Sequence, residues 1–113
     1  MAVRMDKPWI PLNQISLQNI AAHMGVYQLA DRTGKIVYIG VADAKTKFGL
    51  KGELEKILAV PLAGATHFRI EVNMAYRTRW IELLQAYRHD YGSLPERNTN
   101  IDIRMLGQLR PAG

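Results

Sequence analysis

Residues 25–40 read GVYQLADRTGKIVYIG, two apolar runs on either side of the polar tetrapeptide Asp31–Gly34. Runs of this length around D-x-x-G predict a β-hairpin. Each run carries one glycine and one tyrosine near its middle. A glycine inside a strand loses packing and costs backbone entropy, so two of them need a reason. With a four-residue turn at Asp31–Gly34, Ala30 faces Lys35, Tyr27 faces Tyr38 and Gly25 faces Gly40. Alternation of side chains then puts both pairs on one face of the sheet. The expected picture is a pair of phenols beside a glycine notch that a backbone or a ligand could approach.

The rest of the chain is organised around that hairpin. Residues 1–23 form an N-terminal segment in which SLQNIAAH has helical character, with Ser16 in the N-cap role. After a polar loop, DAKTKFG, the apolar residues Leu50, Leu54, Ile57 and Leu58 fall at helical spacing. Pro61 and Gly64 stop that helix. THFRIEVN alternates Phe68, Ile70 and Val72 with His67, Arg69 and Glu71, the pattern of a half-buried strand. Tyr76, Trp80, Leu83, Leu84, Tyr87 and Tyr91 trace one stripe of a long helix ended by Gly92 and Pro95. The stripe reads as core rather than as a base-stacking surface. NIDIRML, residues 100–106, fits either an edge strand or a helical turn. The order β-β-α-β-α predicts an α+β domain: a small three-stranded antiparallel sheet flanked by helices. One domain spans 1–113, with a core at 24–98 and a tail at 99–113.

Composition sets limits on function. The 113 residues suit a single modest core. There is no cysteine, which excludes disulfides and thiolate metal sites and fits a reducing cytoplasm. No apolar run reaches the length of a membrane span, so no membrane association is expected. Fifteen basic against ten acidic residues give a net charge of +5, which favours a polyanionic partner. His23, His67 and His89 lack metal-ligand spacing, although His89 shares a helix face with Glu82. No Ser-His-Asp series or phosphate-cradling glycine loop is present.

The tripeptides GVY at 25–27 and YIG at 38–40, ten residues between their tyrosines, resemble the paired motifs of the GIY-YIG nuclease superfamily. That superfamily has the same element order, a glutamate on its last core helix, and a following Pro-x-x-Asn. Glu82 in RWIELLQAY, and Pro95 and Asn98 in PERN, stand at the corresponding places. The resemblance covers about residues 24–98. It implies a divalent-metal-dependent endonuclease acting on DNA, with Mg²⁺ or Mn²⁺ held by Glu82. Tyr27 and Tyr38 would orient or deprotonate the attacking water, and Asn98 would fix the site by hydrogen bonds. Gly25 and Gly40 would leave room for substrate. On its own, Glu82 lies nearly opposite the apolar stripe and reads as a solvated helical glutamate.

The sequence also departs from the superfamily pattern. The resemblance calls for an arginine on the first core helix, but no arginine occurs between Arg32 and Arg69. Glu53 falls at its place, where a carboxylate would repel phosphate. Lys51 is the nearest replacement, then Lys47, and neither can make a guanidinium's bidentate contact. Arg69 or Arg77 could supply charge from another element. Val41 stands where many relatives carry lysine, and Glu82 and Asn98 are about one helical turn too far apart. Two further readings therefore stand beside the nuclease: a degenerate domain that binds nucleic acid without cutting, and a protein-interaction module. A stand-alone domain of this kind would take specificity from a protein partner.

Overall fold

A computed structural model describes residues 4–98, so the NIDIRML segment lies outside the described residues. The elements are β1 (Ile10–Pro11), α1 (Gln14–Leu17), β2 (Gly25–Ala30), β3 (Ile36–Ala42), α2 (Gly49–Ala59), β4 (His67–Val72) and α3 (Tyr76–Tyr91). They form an α+β domain around an antiparallel sheet. The sheet has four strands, not the three expected, in the order β1-β4-β2-β3. The extra strand comes from the N-terminal segment: Ile10 pairs with Phe68 and Pro11 with His67. Two residues interrupted by proline gave no strand signal of their own, and Pro11 suits only an edge. The first helix is also shifted. Its N-cap is Asn13, whose side chain accepts from the Ser16 amide at 2.8 Å, so Ser16 lies inside the helix it was expected to cap.

The hairpin turns where expected, but its register differs. Asp31 closes the turn by accepting from Thr33 and Lys35 through its carboxylate, and Gly34 takes φ +88. That left-handed glycine advances the pairing by one residue, so Ala30 faces Ile36 rather than Lys35. A bulge then leaves Val37 unpaired and advances it by a second. Tyr27 therefore faces Gly40, Tyr38 faces Leu29, and Gly25 faces Ala42. One slip would have sent the tyrosines to opposite faces; two slips restore the shared face.

This register explains both glycines. A Cβ on Gly40 would stand 2.2 Å from Tyr27 Cζ, so the phenol lies directly across the glycine. A Cβ on Gly25 would stand 2.1 Å from the Glu71 carbonyl oxygen of β4. The notch is real, but the protein's own atoms fill it. Substrate room at Gly25 and Gly40, as expected from the sequence, is replaced by close packing.

The sheet separates two apolar clusters. On one face, Tyr27, Leu29, Val37, Ala42 and Phe68 pack with Leu17 of α1 and Leu50 and Leu54 of α2. On the other, Val26 and Ile39 pack with Met5 and with Ile81, Leu83, Leu84 and Tyr87 of α3. Both faces being covered, β2 is buried along its whole length. Gly92 ends α3 in the left-handed conformation, as the sequence predicts.

The open edge of β3 is closed by the segment after α3. Asn98, buried, accepts from the Ile39 amide and donates to the Ile39 carbonyl, both at 2.9 Å. Arg97 donates to the Val37 carbonyl and Trp80 to the Ile39 carbonyl. A side-chain amide thus stands in for a neighbouring strand.

Two outcomes follow for stability. Gly40→Ala is expected to lower unfolding free energy by about 1–3 kcal/mol, the range for overpacking, in urea melts. Asn98→Ala is expected to cost a similar ~1–3 kcal/mol, because it strips the partners of a buried amide and carbonyl.

Candidate functional site

The tyrosine face carries a cleft of about 400 Å³ lined by Tyr27, Tyr38, Glu53, Lys56, Ile57, Val60 and Leu62. The central strand delivers Tyr27, and β3 delivers Tyr38 diagonally beside it. Their ring centroids are 6.0 Å apart with planes tilted by 41°. The second helix delivers the third group. Tyr27 Oη donates to Glu53 Oε1 at 3.1 Å, and Lys56 Nζ reaches Glu53 Oε2 at 3.5 Å. The glutamate at the expected arginine position is therefore the hydrogen-bond partner of the first tyrosine.

This environment holds Tyr27 protonated. Burial pushes its pKa far above the ordinary phenol value, and the neighbouring Tyr38 and Glu53 push the same way. Burial likewise raises Tyr38, with Glu53 adding to it and a Tyr27 hydrogen bond opposing it. A general base needs the reverse, a phenol stabilised as phenolate by positive charge.

Glu82 does not join this cleft. It sits on α3, the helix covering the opposite sheet face, and accepts from Arg79 Nη1. Arg79 is nearly buried and also grips Glu71 of β4, through Nε at 2.8 Å and Nη2 at 3.2 Å. Burial works against the Glu71 carboxylate, but hydrogen bonds from Arg79 and Asn73 hold it below the ordinary range. The geometry does not fit a Glu82-held cation. Arg79 already neutralises that carboxylate, and Glu53, the carboxylate beside the tyrosines, is on the other face. Among the described residues, no three His, Asp or Glu side chains gather as a metal site.

The remaining expected residues scatter. Asn98 clamps β3 rather than facing the cleft. Lys51 lies half-buried in the first turn of α2 and is not part of the cleft lining. Arg69 stacks on Trp9, 4.1 Å from the ring centroid, and donates to Gln28 at 2.6 Å and to the Lys7 carbonyl at 3.0 Å. Lys47 is exposed, its ammonium 5.3 Å from the Phe48 ring centroid. Arg77, exposed in the first turn of α3, joins Lys45, Asp43, Val41, Ala44 and Tyr76 around a hollow of about 230 Å³. His89 is exposed in the last turn of α3.

Sequence reading missed two groups. Arg79 and Glu82 are spaced i, i+3 on one helix, a legible pairing signal. Gln28, the one polar side chain in GVYQLA, announced a polar contact inside the fold.

These features define a small α+β domain whose central strand carries different chemistry on its two faces. Residues 3–90 match the family described as Domain of unknown function (DUF7508), and the chain belongs to that family. No curated protein matches the chain. Among the described residues no helix is long and apolar enough to cross a membrane.

The raised phenol values give a signed expectation. A group protonated in the folded state but ionised in the unfolded chain stabilises fully below its unfolded pKa and less above it. Stability should be unaffected by Tyr27 and Tyr38 below pH ~10. Above it, Tyr27 should cost up to about 1.4 kcal/mol per pH unit, and the partly exposed Tyr38 less. Urea melts between neutral and strongly alkaline pH check this; Tyr27→Phe should flatten the alkaline decline.

Proposed function

We propose that this domain binds nucleic acid, DNA in the first instance, through its phosphates, and does not cut it. The observation that carries the reading is the start of α3. That helix has no side-chain cap, and the amides of Tyr76, Arg77 and Thr78 have no hydrogen-bond partner among the described residues. Arg77 and Lys45 bring two positive charges to the same hollow, against the one carboxylate of Asp43. Uncapped amides at a helix N-terminus with adjacent basic side chains form a phosphate site. Lys47 extends the basic strip along the loop. Phe48, 62% exposed, offers a ring for a base to stack on. The net charge of +5 supplies the long-range attraction.

The tyrosine cleft carries the wrong charge for the chemistry that the resemblance implies. Glu53 repels phosphate where an arginine should attract it, and the phenols are held as donors. A domain with so short a basic strip binds weakly, so a protein partner supplies specificity. Such a domain would meet its nucleic acid in the cytoplasm.

Fluorescence anisotropy with labelled single- and double-stranded DNA tests the binding. Affinity should fall steeply with salt. Lys45→Glu combined with Arg77→Glu should weaken it about tenfold or more and reduce the salt slope by about 2. Absence of binding at low salt, or binding indifferent to the double substitution, overturns the reading.

A further inference from the structure

Between the N-terminal segment, the sheet and α3 lies a second cavity, of about 410 Å³, on the face away from Tyr27 and Tyr38. Its size falls in the range of small-molecule sites. Met5, Ile36, Leu83 and Ala86 give it apolar walls, and Gln28 and Arg69 give it a polar floor.

The floor has donors left over. Gln28, only 3% exposed, comes from the central strand. Its Oε1 accepts from Arg69 Nε, which assigns the amide orientation because a guanidinium only donates. Gln28 Nε2 then has no hydrogen-bond partner among the described residues. Arg69 spends Nε on Gln28 and Nη1 on the Lys7 carbonyl, and its Nη2 likewise has no partner there. Stacking on Trp9 fixes the guanidinium plane. A buried amide on a central strand is costly unless its hydrogen bonds are met.

Both unmet groups are donors and one is cationic; Asp6 on the lining acts on Arg69 through space but takes no hydrogen bond from these two groups, so an anionic acceptor of a single charge fits them. A carboxylate matches a guanidinium edge beside an amide in geometry and charge. The apolar walls select a hydrocarbon or aromatic body behind it. Asp6 on the lining disfavours a multiply charged anion such as a nucleotide, and the Arg4–Asp90 ion pair at the rim (Nη2 to Oδ1, 2.5 Å) adds no net charge to attract one. We propose that this cavity is a binding site for a small monocarboxylate with an apolar body, held by Arg69 and Gln28.

The test follows the Gln28 side-chain amide of the ¹⁵N-labelled protein by NMR during titration with hexanoate, benzoate and their neutral amides. The carboxylates should shift that resonance saturably, and the amides should bind at least about tenfold more weakly. Ala86→Phe, which fills the cavity, should abolish the shift in a protein whose other resonances show the native fold. Arg69→Met should abolish the preference for carboxylate over amide. An unmoved Gln28 amide with both carboxylates, equal shifts with the amides, or shifts that survive Ala86→Phe would each overturn the proposal.

Discussion

The Tyr27 ring lying across Gly40 is the contact on which the rest of the structure turns. It requires a glycine at one position of β3 and sets Tyr27 opposite that position. It also points the phenol toward α2, where Glu53 accepts its hydrogen bond at 3.1 Å. Strand register, the seat of the second helix and the electrostatics of the cleft therefore share one cause. A one-residue slip would bury Gln28 against α2 and turn Tyr27 to the α3 face. The paired turn glycine and bulge, each worth one residue of register, keep that from happening.

The two sheet faces divide the chemistry. On the α2 face, two protonated phenols and Glu53, paired with Lys56, line a cleft. On the α3 face, Arg79 ties Glu71 and Glu82 together, and Gln28 with Arg69 floors a cavity. The amides and basic side chains that suit phosphate lie elsewhere, where α3 begins beside the loop after β3. The binding proposed at that end would leave the phenol cleft uninvolved.

Much of this was legible in the residues. The hairpin, its turn, both long helices and the glycine that ends α3 follow from spacing and turn chemistry. Glu53 at the arginine position was visible as a conflict, though not as Tyr27's partner. What escaped was non-local. A bulge at Val37 leaves no local signature, because Val fits a regular strand equally well. The short β1 exists only because β4 offers it an edge. Glu82 stands at the place the resemblance gives to a metal ligand, yet Arg79, three residues earlier, claims it. Asn98 fitted a polar turn or a catalytic residue, and only the fold shows it closing the edge of β3.

The central claim is that Glu53 makes the tyrosine cleft a site that cannot act on phosphate. The most direct measurement is cleavage of labelled plasmid and single-stranded DNA by the purified protein with Mg²⁺ or Mn²⁺, at concentrations where binding is demonstrated. The account predicts bound but intact DNA under every metal condition. Metal-dependent cutting by the wild type that disappears in Tyr27→Phe would contradict it.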